Sequence, residues 1–294
     1  MMAKTIHVII NPGSGQPQPI LHTLNSVFRT AKVDWDISLT RQSGDAEKYA
    51  RQAAASGVEV VAAYGGDGTV MEVARGVHGS QSCLAILPGG TANLMSVELG
   101  IPKDLAKAAT IAASSNSQVR YVDMGKLGET YFLLRVGLGF AARKVRIADR
   151  QLKDKYGMLA YTVGALKALQ QSAPAHYRLN LDGQEIETEG LSCLVDNAGN
   201  MGVAGFSAAP NISVSDGLLD VILVRNAGFQ SVVAMGETLA KAAPDPDSFH
   251  HWQARQITID ADPDQPVQVD GEMAGRTPVT INVIPQAVRV LVGN

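Results

Sequence analysis

The sequence is short of the features that mark specialised classes of protein. Aromatic residues make up only 5% of its 294 positions, and cysteine occurs twice. Cys83 and Cys193 lie far apart in apolar stretches, with no His or Cys neighbour at metal-ligand spacing. A disulfide framework and a thiolate metal site are therefore both excluded, and the two cysteines read as reduced core residues. No apolar run approaches the roughly 18 residues needed to cross a bilayer. Positive charge is not in excess either: 25 Lys plus Arg stand against 28 Asp plus Glu, a net charge of -3. Without a sequence-wide positive field there is little to hold a nucleic-acid backbone by counterion release, so no nucleic-acid partner is expected. Lys4 and Thr5 lead into Ile6–Ile10 as a short strand would, not as a signal peptide, and the expected location is the cytoplasm, with peripheral contact at a membrane surface left open.

What is present is the composition of a globular chain, 46% hydrophobic and 18% charged, and a length that fits two domains. Up to about residue 125, short apolar runs alternate with helical patterns, the order expected of an α/β layer fold. Strands are predicted at Ile6–Ile10, Trp35–Leu39, Val58–Ala63 and Cys83–Leu87. Helices are predicted over Asp45–Ala55, ending before Ser56-Gly57, and from an acidic cap at Asp104 to Ala113. From about Asp123 the texture becomes that of antiparallel β structure, with hairpin signals at Asp182-Gly183, Asp216-Gly217 and Asp270-Gly271. Two helices interrupt it, one striped by Leu152, Tyr156, Leu159, Val163, Leu166 and Leu169, the other over Phe229–Lys241. The boundary is placed near Asp123, giving domains 1–123 and 124–294, with the ligand site between them.

Three predicted strand ends carry glycine motifs: Asn11-Pro12-Gly13-Ser14-Gly15, Gly65-Gly66-Asp67-Gly68-Thr69 and Pro88-Gly89-Gly90-Thr91-Ala92-Asn93. In an open parallel sheet such ends share one edge, where backbone N–H groups and helix N-termini converge on an anion, phosphate being the natural candidate. Each motif alone is explained as well by a tight turn; three together point to a ligand. None is a Walker A loop and none has the Gly-x-Gly-x-x-Gly dinucleotide spacing. Asp67 is informative, because a carboxylate set among glycines that approach a polyphosphate requires a cation or a transferable proton between them, which Mg-nucleotide chemistry supplies.

Asn-Pro-x-x-Gly, Gly-Gly-Asp-Gly-Thr and Pro-Gly-Gly-Thr-x-Asn in this order resemble the diacylglycerol kinase catalytic family, including bacterial YegS-like lipid kinases. The resemblance continues through Leu152–Tyr161, Asp216–Val221 and Val269–Glu272, and so spans nearly the whole chain. It implies an N-terminal α/β nucleotide domain like that of phosphofructokinase and a C-terminal β-sandwich, with ATP in the cleft between them. Carried over by motif, Asn11, Pro12, Gly13, Ser14, Gly15, Thr40, Gly66, Asp67, Gly68, Thr69, Val70, Met71, Glu72 and Thr91 would contact ATP. Thr40 serves equally well as a cap for the following helix. A structural Mg²⁺ is implied at the Asp216 side chain with oxygens of Ser213 and Leu218, although Asp216-Gly217 also reads as a plain turn. The family's catalytic base falls on Glu272, which would take the proton of an acceptor hydroxyl as it attacks the γ-phosphorus of Mg-ATP. Asp270 and Asp67 share the acidic duties in a division the sequence leaves open, and Asp123 is a lesser member of the same cluster, or a turn or cap residue.

The expected activity is phosphate transfer from ATP to a diacylglycerol-like or sphingoid-like lipid, at transient contact with a membrane surface; a homodimer is compatible with it. Several positions depart from the family pattern. Gln16-Pro17 stands where a basic residue is frequent, Met71 where Asn is usual, and Ala141-Ala142 where Asp is common, while Thr91-Ala92-Asn93-Leu94 replaces an Asn-Asp-Phe ending. Arg41, Arg75 or Arg135 would replace the missing cation, unless each is simply a solvated charge. Two rival readings remain: an NAD kinase, which also carries Gly-Gly-Asp-Gly-Thr, and a nucleotide-binding regulator without transfer activity, against which the intact Asp67 and Glu272 argue.

Overall fold

The computed structural model describes residues 4–15, 18–139, 173–200, 211–225 and 249–293. The chain begins with β1 (Thr5–Ile10), α1 (Ile20–Thr30), β2 (Asp34–Leu39), α2 (Asp45–Ala55), β3 (Val60–Gly65), α3 (Asp67–Val77), β4 (Cys83–Pro88), α4 (Leu94–Glu98) and α5 (Leu105–Ala113). The four strands pair in parallel in the order β2-β1-β3-β4. β3 and β4 are buried at every residue, as central strands covered on both faces must be. Asp104 caps α5, accepting from the Lys107 N–H at 2.8 Å. β3 starts two residues later than its apolar run, because Val58 is used to close α2. Its N–H donates to the Ala53 carbonyl at 3.2 Å, behind Gly57 in the left-handed region, the geometry of a Schellman cap.

The second half adds β5 (Gln118–Leu127), β6 (Thr130–Phe132), β7 (Arg135–Gly139), β8 (Ala175–Leu181), β9 (Gln184–Gly190), β10 (Ser192–Asp196), β11 (Leu219–Val224), β12 (Phe249–Ala254), β13 (Gln256–Asp262), β14 (Pro266–Val269), β15 (Glu272–Arg276) and β16 (Val279–Val292). One antiparallel sheet runs β12-β11-β10-β7-β14-β15. Its inner side chains, among them Val136, Leu138, Val195 and Val221, share a core with Tyr177, Leu179, Ile257 and Ile281 of a second sheet, which makes this half a β-sandwich. Asp182-Gly183 and Asp270-Gly271 form two-residue hairpin turns with both residues at positive φ. Asp216-Gly217 is not a hairpin: it leads into β11 and is tied elsewhere. The helices expected over Leu152–Leu169 and Phe229–Lys241 lie outside the described residues.

The two halves share a sheet. β16 pairs antiparallel with β13 at Ile281↔Ile257, breaks register between Ile284 and Val288, and ends parallel to β4 at Val290↔Leu84. The second sandwich sheet is thus continuous with the parallel sheet, in the order β2-β1-β3-β4-β16-β13-β8-β9. Asp123 lies inside β5, which runs along β16, and not in a linker. Among the described residues no helix is long and apolar enough to cross a membrane. Both cysteines are free and buried, and burial pushes the Cys193 thiol up to about 12, so it stays protonated.

Candidate active site

The C-terminal ends of β1, β3 and β4 lie side by side, and the three glycine motifs leave them from one edge. Asn11 binds the first two motifs together. Its N–H donates to the Tyr64 carbonyl at 2.9 Å and its Nδ2 to Thr69 Oγ1 at 3.1 Å, while its Oδ1 accepts from Gly13 N–H at 3.0 Å. Gly15 has φ +82°, and a Cβ there would sit 2.1 Å from the Gly89 carbonyl oxygen. A Cβ on Gly90 would lie 2.5 Å from the Cα of Gly66. The turns touch backbone to backbone, and that is why they are glycine. Asn93, at φ 51°, clasps Gly90 in both directions, with its Oδ1 accepting at 2.9 Å and its Nδ2 donating at 2.8 Å. Val70 N–H returns to the Gly66 carbonyl. The N–H groups that precede it at the start of the eleven-residue α3 have no backbone partner within the helix, the property that suits a helix N-terminus to an anion, although that of Asp67 is shared with its own carboxyl.

The other residues expected at the nucleotide divide into those at the floor and those turned away. Pro12, Ser14 and Gly15 line a groove of about 400 Å³ with Ile10 and Leu39, and Gly68 is exposed with no chain atom within 4 Å of its would-be Cβ. Val70 and Met71 send their side chains into the core, so neither offers a side chain to a ligand. Glu72 is engaged in packing: its carboxylate accepts from Ser43 Oγ and from Ala46 N–H, tying α3 to the start of α2. Thr40 does not cap α2, whose N-cap is Gly44, while Asp45 takes the N–H groups of Arg41 and Gln42. Thr91 is exposed beside the Gly90–Asn93 turn.

Asp67 begins α3 and accepts from the Met95 N–H at 3.3 Å, at the start of α4. Burial raises its carboxyl above the usual range, against the pull of N–H groups at Met95, Leu94, Asp67 and Asn93. At the other end of α4, Glu98 accepts from Asn200 N–H at 3.0 Å. The Asn200 and Ala198 carbonyls accept from the Arg135 guanidinium at 2.8 and 3.3 Å. Arg135 adjoins Asp270, whose carboxylate accepts from the N–H groups of Leu133, Leu134 and Arg135 at 3.0, 3.1 and 2.8 Å. Burial pushes Asp270 up to about 6, the three N–H groups and Arg135 opposing. Asp270 turns the chain at φ 45°, and Glu272 follows at the start of edge strand β15 with its side chain exposed. A continuous chain of bonded groups thus runs from Asp67 through α4 to the Asp270-Gly271-Glu272 turn.

The Asp216 loop is fastened from beneath. Buried Asp123 accepts from Gly217 N–H at 2.7 Å and from Gln286 N–H at 2.6 Å, so it braces this loop and the β16 bulge. Asp216 is exposed and accepts from Leu218 N–H at 3.0 Å; Ser213 Oγ accepts from Ser215 N–H at 3.3 Å. Asp216 is raised by desolvation and by the carboxylates of Asp220 and Asp123. Among the described residues no group of three His, Cys, Asp or Glu side chains is arranged around one metal position. Of the three arginines named as phosphate partners, Arg75 is half-buried 3.6 Å from Glu47, and Arg135 is clasped by Asp196 and the Ala198 and Asn200 carbonyls. The sequence reading passed over Glu98, Asp196 and Asn197, although Asp196 closes the apolar run Cys193–Val195, where a charge is out of place.

Comparison with known proteins identifies both halves of the chain. Residues 5–127 match the diacylglycerol kinase catalytic domain, and residues 135–292 match the YegS C-terminal NAD kinase beta sandwich-like domain. The chain belongs to the YegS-like diacylglycerol kinase family. It is 28% identical to a diacylglycerol kinase of Bacillus subtilis over 94% of this chain and 92% of that one. With a diacylglycerol kinase of Staphylococcus carnosus it shares 26% identity over 98% and 95% of the two chains. A crystal structure of a diacylglycerol kinase from Bacillus anthracis str. Sterne superposes with a TM-score of 0.80 at 28% identity, covering 99% of this chain and 97% of that one. The phosphofructokinase-like α/β half with its β-sandwich is the architecture of this kinase family, and the enzyme class is that of a kinase.

Proposed function

We propose that this kinase transfers the γ-phosphate of Mg-ATP to the hydroxyl of a diacylglycerol-like or sphingoid-like lipid. The observation that carries the reading is the stacking of the three glycine turns at one sheet edge, joined through α4 to the turn that presents Glu272. Residues 1–123 supply the ATP-binding part and residues 124–294 the part with the base. Triphosphate oxygens lie on the N–H groups at the start of α3 and along the 11–15 and 89–91 turns, with the base and ribose beside Thr40. Asp67 would hold the Mg²⁺ that accompanies ATP, and that ion would supply neutralisation of phosphate charge.

The division between the two hairpin carboxylates follows from their partners. Asp270 has both oxygens taken up by backbone N–H groups and serves to shape the turn. Glu272 is exposed to an incoming hydroxyl and acts as the base. It takes the acceptor proton as the acceptor oxygen bonds to the γ-phosphorus in line with the departing β,γ-bridging oxygen. The bond electrons leave with ADP. A structural Mg²⁺ would be held by Asp216 with oxygens of Ser213 and Leu218. This all-oxygen set suits the ion, and the mutual repulsion of Asp216, Asp123 and Asp220 leaves negative charge for it to offset. The lipid is reached by transient contact with a bilayer surface.

The test is transfer of labelled phosphate from Mg-ATP to dispersed diacylglycerol, sphingoid base and, as a control, NAD. Labelling of a lipid is expected; labelling of NAD alone would replace the reading by a nucleotide kinase. E272Q should lose about 10²-fold or more of the turnover with its affinity for ATP unchanged. ATP binding with no transfer by the native chain, unaltered in E272Q, would make it a regulator instead.

A further inference from the structure

The face of the six-stranded sheet opposite the sandwich core carries a row of charges that are buried, not solvated. Arg135, Asp196 and Asp220 stand directly opposite one another on β7, β10 and β11, and Asp270 follows on from β14 at the Arg135 end. Asp196 and Asp220 are 0% exposed and the Arg135 side chain 17%. Arg135 Nε lies 3.5 Å from Asp196 Oδ1, and Asp220 is held by His251 at 2.6 Å. Buried charges are costly unless they are paired and hydrogen-bonded.

Arg135 joins three chain segments that meet at the domain junction. Its backbone N–H and carbonyl pair with Asp270, donating to Oδ1 at 2.8 Å and accepting from its N–H at 3.0 Å. Its guanidinium donates to the Ala198 and Asn200 carbonyls, and Asn200 N–H continues to Glu98 at the end of α4. The opposite end of α4 is held by Asp67. A planar guanidinium suits this task, since it reaches a carboxylate and two carbonyls in fixed directions, as an ammonium does not.

We propose that Arg135, paired with Asp196, is a positioning residue for phosphate transfer: it sets the Asp270-Gly271-Glu272 turn at a fixed distance from α4 and Asp67, and does not itself touch nucleotide. The proposal rests on the kinase reading above. It assigns to the clasp an effect on turnover and not on ATP affinity, because a base displaced by about 1 Å forfeits rate on the order of 10²-fold while the phosphate floor is untouched.

The experiment compares native protein with R135A, R135K and D196N, using Mg-ATP and diacylglycerol in mixed micelles, with ATP affinity from calorimetry and folding from circular dichroism. R135A should lose about 10- to 100-fold in kcat with KM and Kd for ATP within about 3-fold of native, and R135K should recover part of the loss. A tenfold rise in Kd for ATP with kcat unchanged would make Arg135 a phosphate ligand and overturn the proposal, as would unchanged kinetics. Should R135A not fold, R135K and D196N carry the test, each expected to lose several-fold in kcat alone; native kcat in both overturns it. Native protein that labels no lipid sinks the kinase reading instead. Amide exchange then decides, with faster exchange at 133–135 in R135K and D196N expected and unchanged protection counting against the clasp.

Discussion

Asp123, Asp196 and Asp270 are buried or half-buried carboxylates with different partners, and their partners separate their roles. Both oxygens of Asp123 accept from backbone N–H groups of distant segments. Asp123→Ala should cost about 3 kcal/mol in denaturant unfolding, since two donors lose a charged acceptor at a buried site. Asp196 differs in having Arg135 as an ion-pair partner but, among the described residues, no hydrogen bond to either oxygen. Burial, together with Asp220 and Asp270, pushes it up to about 6 from 3.8, while Arg135 and His251 pull it down. The folded chain therefore holds this proton more tightly than the unfolded chain. The contribution to stability is full below the ordinary carboxylate value, falls as pH rises to about 6, and is constant above. Its size is on the order of 3 kcal/mol, and Asp270 acts in the same sense. Native protein should gain stability relative to D196N on going from pH 7.5 to pH 4.5, as measured by urea unfolding at both; parallel behaviour would remove Asp196 as the titrating group.

Among the elements, α3 combines two requirements that separate under substitution. Its first turn faces the glycine floor, and its later residues Val73, Ala74 and Val77 are packed in the core. A Cβ at Gly68 meets no chain atom within 4 Å and stands at a helical position, so Gly68→Ala should leave the thermal midpoint of the ligand-free protein unchanged or raise it. In the proposed complex that same Cβ intrudes on a phosphate, and ATP affinity should fall about tenfold or more by calorimetry. Gly90→Ala is the contrast. There the new atom falls 2.5 Å from Gly66 Cα, so both stability and ATP affinity should drop. Equal ATP affinity in native and Gly68→Ala protein would place the triphosphate elsewhere.

At the scale of the molecule, β16 makes one structure of two cores. Val283 belongs to the sandwich core, while Val288, Val290 and Leu291 belong to the core of the parallel sheet. A fragment ending at Leu127 leaves the outer edge of β4 unpaired and exposes apolar residues of both β4 and β5, a template for aggregation. Such a fragment should fail to give a cooperative thermal transition as a soluble monomer, whereas the full chain should melt in one. A cooperative, monomeric 1–127 would show that β16 is dispensable to the parallel sheet. The same continuity suits the proposed chemistry, because the sheet that carries Glu272 on β15 packs face to face on the strands that continue the parallel sheet, and is not a body joined by a loose linker.

Local patterns determined a large part of this protein. The alternation of apolar runs with helical stripes, the acidic cap at Asp104, the hairpin turns at Asp182-Gly183 and Asp270-Gly271 and the three glycine motifs are all properties of short stretches, governed by backbone freedom and side-chain period. They were therefore legible without coordinates. What the tertiary structure decided depends on partners far away in the chain. Nothing local tells β16 to cross to β4, because an apolar strand pairs wherever an unpaired edge awaits it. Nothing local separates Asp270 from Glu272, two carboxylates flanking one glycine, until the N–H groups of Leu133, Leu134 and Arg135 are seen to occupy the first and not the second. Val70, Met71 and Glu72 follow the floor in sequence but turn into packing, since a helix sends successive side chains to different sides. Arg135, read along the chain, is one of three candidate phosphate cations; only folding brings Asp196 and two carbonyls within its reach, because electrostatic roles are set by distance in space.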